Sequence, residues 1–185
     1  MLPYFKELTE AGVQPFCVKT VYSTVLSPET EWVKYFNFTA CSIDPEKHLL
    51  TDSFYSWLYQ RHRYKAGVLC MESKTVYNWH RDSSRGTCIN TVLPPLSGGA
   101  PSSSSSATYF RNSRDTEAVN HQVIEVPYRP GVRFIFNNQE DHMVVNHLGI
   151  RLVLTLEFDE PKEVLSFNTL LNEIEQEFLQ PRAYQ

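Results

Sequence analysis

The chain of 185 residues is 42% hydrophobic and 21% charged, with a formal net charge of −4 at pH 7. This length predicts a single domain over residues 1–185 with one hydrophobic core. The negative charge provides no overall basic field, so nucleic acid is not an expected partner. The sequence has neither an apolar run of the roughly 20 residues that a membrane span needs nor the apolar region of a signal peptide. We therefore expect a cytoplasmic protein without membrane contact.

The N-terminal part, residues 1–63, is predicted to hold one strand and two helices. Residues 14–26 are rich in β-branched and aromatic side chains, which favours a strand. Residues 27–36 and 44–62 each begin with a polar capping residue followed by proline, the pattern of a helix N-terminus. These elements are expected to support a core that lies later in the chain.

Short runs of strand-forming residues dominate the rest of the chain. Turn signals separate them at roughly ten-residue intervals, which favours a sandwich, jelly roll or barrel. The predicted strands are 64–71, 76–82, 87–93, 107–111, 121–127, 131–137, 141–146 and 150–158. A helix is predicted over residues 160–180 from its one-sided leucines.

Residues 97–107 form a low-complexity segment that contains Gly98, Gly99 and five consecutive serines. Such a composition buries no apolar surface, so a surface loop is expected. Two roles remain open for it, a linker or a flexible lid beside a binding site.

The stretch "VYNWHRDSSRG" places His80 two residues before Asp82. Alternate residues of a strand share a face, so a strand running through both would project them together, with Arg81 opposite. A histidine and a carboxylate are two members of the two-His, one-carboxylate set of non-haem Fe(II) oxygenases. A protein-kinase catalytic loop is excluded, because the required Asn and the Gly-rich phosphate loop are both absent.

A third ligand must come from a histidine further along the chain. His142 lies on a short predicted strand. His147 is expected to be a turn residue or to lie behind the ligands, and His121 to be structural or exposed. Arg151 then shares a strand face with Thr155. An inward-facing arginine is unfavourable without a partner, and a planar guanidinium suits a carboxylate, so a dicarboxylate would meet this need.

His80-x-Asp82, then His142 about sixty residues later and Arg151 nine residues after that, resemble the Fe(II)/2-oxoglutarate-dependent dioxygenases. The surrounding sequence is similar to the prolyl-hydroxylase-like branch, with matching pieces at "GTCINTVLPP", the Gly-Gly pair and "PGVRFIF". The stretch "FNNQEDHMVVN" is also similar to the aspartyl/asparaginyl hydroxylase branch. The resemblance covers about residues 64–158.

This resemblance implies a mainly β protein with flanking helices. Its core over residues 64–158 would be a double-stranded β-helix, or jelly roll. The strand and helices of residues 1–63 and the helix at 160–180 would pack on that core as supports.

The resemblance also implies a site and a reaction. His80, Asp82 and His142 would bind Fe(II), and Arg151 would pair with the distal carboxylate of 2-oxoglutarate. With dioxygen, the enzyme would couple oxidative decarboxylation of 2-oxoglutarate to hydroxylation of a protein, peptide or small-molecule substrate.

One part of the family pattern is missing. Many relatives carry a tyrosine that helps to hold 2-oxoglutarate at a position where this chain has Cys70-Met71. Another side chain must therefore replace it. The candidates are Tyr64, Tyr77, Asn90 and Thr155, with Asn90 favoured by its place on the strand after the triplet.

Two other functions compete with this interpretation. A cupin-like β-sandwich would bind a metal or another ligand without oxidation, but it has no need for an inward-facing Arg151. An oxygenase acting on nucleic-acid bases is disfavoured by the net negative charge and by the lack of a basic-aromatic stripe.

Overall fold

The computed structural model describes residues 4–8, 16, 18–94, 106–111 and 122–179, which form two antiparallel β-sheets and several helices. The larger sheet has the strand order β1 (Phe5–Glu7), β9 (Arg133–Asn137), β6 (Thr87–Val92), β11 (Arg151–Phe158), β4 (Tyr64–Met71), β3 (Thr39–Ile43) and β2 (Val33–Lys34). The smaller sheet has the order β5 (Thr75–His80), β10 (His142–Asn146), β7 (Ser106–Arg111) and β8 (Val123–Glu125).

From β4 onward, the chain passes repeatedly between the two sheets. Strands β4, β6, β9 and β11 lie in the larger sheet, and β5, β7, β8 and β10 lie in the smaller one. This is the double-stranded β-helix, and the predicted mainly β jelly roll is confirmed. The strands before β4 extend the larger sheet at both of its edges.

Strand β11 is buried on both faces, which explains its nearly continuous apolar sequence. Leu152, Leu154 and Leu156 point into the hydrophobic core shared with the helices. The alternate residues, including Arg151 and Thr155, point towards the smaller sheet and line a cavity. The predicted division of this strand into two faces is therefore confirmed.

Helices pack on the outer face of the larger sheet. They are α1 (Lys19–Val25), α2 (Pro45–His48), α3 (Ser53–Arg61) and α4 (Phe167–Glu173), and α4 continues as a π-helical turn over Ile174–Phe178. No helix within the described ranges is long and apolar enough to cross a membrane.

The strand predicted over residues 14–26 is wrong where the structure describes it, because α1 occupies Lys19–Val25. Val21 and Val25 lie one helical turn apart, and both are buried in the core. Burial of this helical face outweighs the weak preference of valine for strands.

The helix predicted over residues 27–36 is also wrong. The Ser27 hydroxyl accepts a hydrogen bond from the Glu29 N–H at 3.3 Å, but the chain then turns and enters β2. Val33 and Tyr35 are about half exposed, at 53% and 49%, so no buried helical face exists here. Amphipathic burial, rather than a capping pattern alone, sustains most helices.

The helix predicted over residues 44–62 is interrupted. Asp44 caps α2, as its sequence indicates, but a second cap at Asp52 begins α3 by accepting hydrogen bonds from the N–H groups of Phe54 and Tyr55. The C-terminal helix begins at Phe167 rather than at residue 160, and the Ser166 side chain caps it. The residues just before that cap form turns.

Two observations concern the turns and loops. The predicted turn lies between β10 and β11, where Gly149 adopts a left-handed φ of 70° that allows a tight turn. Of the serine-rich segment 97–107, only Ser106 and Ala107 are described, and they begin β7; the predicted loop otherwise lies outside the described residues.

Candidate active site

His80 is the last residue of β5, and Asp82 follows it outside the strand. The expectation that one strand runs through both residues is therefore wrong. The Asp82 N–H instead donates to the Asn138 carbonyl at 3.0 Å, which fixes the chain as it leaves the sheet. Arg81 points away from Asp82 and forms an ion pair with Asp141 at 2.6 Å.

His142 reaches the same place from the neighbouring strand. In the antiparallel pairing of β10 with β5, His142 lies directly opposite His80, and the two ring centroids are 4.2 Å apart. Asp82 Oδ1 lies 3.7 Å from His80 Nε2 and 3.8 Å from His142 Nε2. One ligand atom from each residue lies within 4.8 Å of the other two, so the group could hold a metal ion.

Backbone carbonyls orient both imidazoles for metal binding. His80 Nδ1 lies 2.6 Å from the Asn78 carbonyl, and His142 Nδ1 lies 3.0 Å from the Glu140 carbonyl. A carbonyl only accepts, so each Nδ1 carries the proton and each Nε2 presents its lone pair towards Asp82. Burial lowers the pKa of His142, which favours the neutral form that binds metals.

The second oxygen of Asp82 is held by two side chains that sequence patterns did not single out. Arg85 donates to Oδ2 from Nε at 2.7 Å and from a terminal nitrogen at 2.6 Å. Asn138 Nδ2 donates to the same oxygen at 2.7 Å. With Oδ2 bound in this way, Oδ1 is the oxygen left to face the two imidazoles.

Arg151, the first residue of β11, is only 6% exposed and faces into the space between the sheets. It donates to the Thr108 hydroxyl at 2.8 Å and to the Ala107 carbonyl at 3.4 Å, while its Nε has no hydrogen-bond partner. Among the described residues, no carboxylate forms an ion pair with it. A buried cation of this kind favours an anionic ligand.

A cavity of about 130 Å³ connects Arg151 with the His80, Asp82 and His142 cluster. Three of the residues predicted to hold a cosubstrate also line it: Tyr77, Asn90 and Thr155. The Asn90 Oδ1 atom is buried without a hydrogen-bond partner.

Tyr64, the other candidate, does not reach the cavity. It is buried in the core on the helix side, where its hydroxyl donates to the Tyr55 carbonyl at 3.1 Å. Successive strand residues point to opposite faces, and Tyr64 stands on the outward face of β4.

Tyr128 is a cavity residue that the sequence analysis missed. The Arg151 guanidinium lies 5.2 Å from the centroid of its ring. Its hydroxyl interacts with Thr108 and Asn90, and burial raises its pKa, so the hydroxyl stays protonated and can donate a hydrogen bond. Tyr128 lies in an irregular segment before β9, where no periodic pattern marks its direction.

The other described histidines, His48, His62 and His147, do not join the cluster. His147 is exposed just beyond β10, in agreement with its expected place in a turn. His121 lies outside the described residues. His48 and His62 lie at the ends of α2 and α3, away from the cavity.

No protein-family model and no curated protein match this sequence. Solved structures do match it in fold. A prolyl hydroxylase from Trichoplax adhaerens, in complex with a hypoxia inducible factor oxygen degradation domain peptide fragment, aligns with a TM-score of 0.60 over 91% of this chain and 87% of its own, at 13% identity.

Two bacterial structures give similar results. A Pseudomonas putida prolyl-4-hydroxylase has a TM-score of 0.53, with 85% of this chain and 92% of its own covered at 15% identity. An oxidoreductase of the 2-oxoglutarate–Fe(II) oxygenase family from Burkholderia pseudomallei has a TM-score of 0.51, with 76% and 77% covered at 11% identity.

The fold is thus the one found in 2-oxoglutarate–Fe(II) oxygenases, and the resemblance read from the sequence is confirmed in the fold. The structures that match in fold include prolyl hydroxylases, one of the two branches to which the sequence is similar.

Proposed function

We propose that this protein is an Fe(II)/2-oxoglutarate-dependent oxygenase that hydroxylates a protein, peptide or small-molecule substrate. One observation carries the proposal: Arg151 is buried, has no carboxylate partner among the described residues, and shares one small cavity with the His80, Asp82 and His142 cluster. A cavity with a metal-binding group and an uncompensated cation suits a chelating dicarboxylate.

The three clustered residues fit Fe(II), since two imidazoles and one carboxylate are the donor set of non-haem Fe(II) sites. The proposed metal ligands are the Nε2 atoms of His80 and His142 and the Oδ1 atom of Asp82. Bound Fe(II) would supply the redox chemistry that couples dioxygen and 2-oxoglutarate decarboxylation to hydroxylation. The protein's part is to hold these donors in place, through the carbonyls behind the imidazoles and through Arg85 and Asn138 behind the carboxylate.

The cosubstrate end of the cavity would be built around Arg151. Its guanidinium would pair with the distal carboxylate of 2-oxoglutarate, and Tyr128 is placed to donate a further hydrogen bond from the same wall. Thr108 already holds the guanidinium in position. In this proposal Tyr128 and Asn90 fill the role of the tyrosine that Cys70-Met71 replaces, while Tyr77 and Thr155 line the cavity nearer to the metal ligands.

Anaerobic titration tests the metal and cosubstrate together. Adding Fe(II) and 2-oxoglutarate should produce a weak visible metal-to-ligand band, which needs both to be bound. The variant His142→Ala should lose this band. The matched control His147→Ala should keep it, because His147 is exposed outside the cavity. A band that survives in His142→Ala would contradict the assignment.

A second titration tests whether the distal carboxylate of 2-oxoglutarate contributes to binding. The protein loaded with Mn(II) should bind 2-oxoglutarate more tightly than 2-oxobutyrate, which keeps the chelating keto acid but lacks the distal carboxylate. Calorimetry measures both affinities without turnover. The alternative, a cupin-like binder without oxygenase activity, predicts no preference between the two keto acids, since it assigns no role to Arg151.

A further inference from the structure

A groove of about 810 Å³ lies beside the cavity on the inner face of the larger sheet. Its lining comes from strands β3, β4 and β11 and from residues 23–33, which run from the end of α1 to the start of β2. Four side chains line both the groove and the cavity: Phe38, Leu69, Arg85 and Thr155. Because Arg85 is bonded to Asp82, the groove ends next to the candidate metal ligands.

The two spaces differ greatly in size. At about 130 Å³, the cavity suits a small dicarboxylate and leaves little room for a second molecule. The groove lies within the range of roughly 300–1,000 Å³ that is typical of ligand sites. A primary substrate would therefore lie in the groove, with its reacting group directed past Arg85 and Thr155 towards the cavity.

The charge of the groove is mainly negative. Three glutamates line it, Glu29, Glu31 and Glu157, and all three side chains are exposed. Within the described part of the chain, none of these carboxylates forms an ion pair. Lys65 lies opposite Glu157 in the β4–β11 register and offsets one charge, while Arg85 is already neutralised by Asp82.

Apolar side chains form the rim of the groove. Tyr35 stacks on Phe38, with ring centroids 5.3 Å apart and an interplanar angle of 18°. Val33 is 53% exposed and Phe36 next to Tyr35 is 86% exposed. Contiguous exposed apolar residues beside a groove are typical of an interaction site, and aromatic faces attract Lys and Arg side chains.

We propose that the groove binds an extended peptide segment that carries a basic side chain, and that this segment is the primary substrate. Its role as substrate rests on the function proposed above. The unpaired glutamates would bind the Lys or Arg side chain, and the Tyr35 and Val33 rim would contact its aliphatic part. A peptide is favoured over a small amine because the groove is several times larger than the cavity. In addition, β2 is the edge strand of the larger sheet as far as the structure describes it, and an edge strand can form backbone hydrogen bonds with an extended peptide.

Binding can be tested without turnover, so that the result does not depend on the oxygenase assignment. The probe is a fluorescein-labelled peptide of Gly, Ser and Ala with a central Pro and two Arg residues. Fluorescence anisotropy is measured without iron or 2-oxoglutarate, against a matched peptide with Glu in place of Arg. The Arg peptide should bind the wild-type protein, more weakly at high salt because exposed charges are screened, and the Glu peptide should not.

The double variant Glu31→Gln/Glu157→Gln should lower the affinity for the Arg peptide by about tenfold, since each exposed charge contact is weak on its own. The matched control Glu163→Gln changes an exposed glutamate outside the groove and should leave the affinity unchanged. Circular dichroism should give the same Tm for all variants.

Several results would overturn the proposal: no binding of the Arg peptide to the wild type, equal binding of the Glu peptide, or an equal loss in Glu163→Gln. Binding of N-acetyl-arginine amide as tightly as the peptide would overturn the peptide as occupant. Addition of one oxygen atom to the bound peptide, in the presence of Fe(II), 2-oxoglutarate and air, should follow in the wild type. Peptide binding without this mass shift would contradict the groove as the substrate site if the metal-to-ligand band is present. If that band is absent, the oxygenase assignment is wrong instead.

Discussion

Replacing Arg151 with methionine tests whether this arginine binds a ligand or stabilises the fold. Methionine fills irregular space and leaves no buried polar atom. Arg151 has no ion-pair partner within the described ranges, so its removal relieves a desolvation cost. We take about 1–4 kcal/mol for it, the gain typical when buried ionic groups are replaced by apolar ones. Losing the hydrogen bond to Thr108 and the contact with the Tyr128 ring costs about 2 kcal/mol in total. The free energy of unfolding should therefore stay within about 2 kcal/mol of the wild-type value.

The affinity for 2-oxoglutarate should change far more. Truncating one partner of a buried charge pair costs about 2–5 kcal/mol, or roughly 30- to 5,000-fold in Kd. Calorimetry on the Mn(II)-loaded protein measures this Kd directly. A thermal shift provides a second readout: ligand at 100 times its Kd stabilises the wild type by about 2.7 kcal/mol, a rise in Tm of about 5–11 °C, which Arg151→Met should lack.

Arg133→Met is the matched control, since Arg133 is also a buried strand arginine. Arg133 is 3% exposed, but it forms an ion pair with Asp52, the cap of α3. Breaking such a pair should cost about 3–5 kcal/mol, a fall in Tm of about 6–20 °C, and should leave the affinity for 2-oxoglutarate unchanged. The reasoning fails if Arg151→Met lowers Tm as far as Arg133→Met does and still binds 2-oxoglutarate like the wild type.

Three further changes test neighbouring parts of the structure. Asn138→Ala removes one of the donors to the carboxylate ligand and should weaken Mn(II) binding by about 10- to 100-fold in a calorimetric titration; wild-type affinity would contradict its positioning role. Tyr128→Phe should raise the Kd for 2-oxoglutarate by about three- to tenfold, the contribution of one hydrogen bond, with Mn(II) affinity unchanged. His62 lies 2.8 Å from Glu160 and 2.7 Å from Glu173, and although its burial acts to lower its pKa, these two carboxylates outweigh burial and raise it. Its stabilising effect should thus be complete below the ordinary histidine pKa of about 6.5 and be lost as the pH rises through the raised value. Urea unfolding at several pH values should show this loss in the wild type and a flatter profile in His62→Gln; identical profiles would exclude the contribution.

The strands of the jelly roll were predictable because their pattern is local. Alternation of apolar and polar residues, together with turn signals, marks β4 to β11 within a few residues of their observed ends. The region before β4 was less predictable. The valines of α1 favour a strand by their intrinsic preference, and the helix forms because the core buries one of its faces. Strands β1 and β3 are short, and their pairing partners lie far away in sequence.

The candidate metal ligands could also be found from the sequence, since an H-x-D triplet and a later histidine are recognisable by spacing. The side chains that support the site could not. Arg85 and Asn138, which hold Asp82, and Tyr128, which contacts Arg151, all stand in turns or irregular segments. In such segments neither a period of 2 nor one of 3.6 gives a side-chain direction. These side chains reach Asp82 or Arg151 only because the two sheets bring separate segments together.

The two buried arginines show the limit of an argument from burial cost alone. In sequence, Arg133 in "GVRFIF" and Arg151 in "GIRLVL" look alike, since each begins a strand two residues after a glycine. The cost of burying a guanidinium predicts only that each needs a partner. Arg133 faces the helices and finds Asp52, whereas Arg151 faces the smaller sheet and finds hydroxyls, a carbonyl and an aromatic ring. The face of the sheet therefore separates the arginine that is ion-paired in the core from the one that, in the proposed function, binds the distal carboxylate of 2-oxoglutarate.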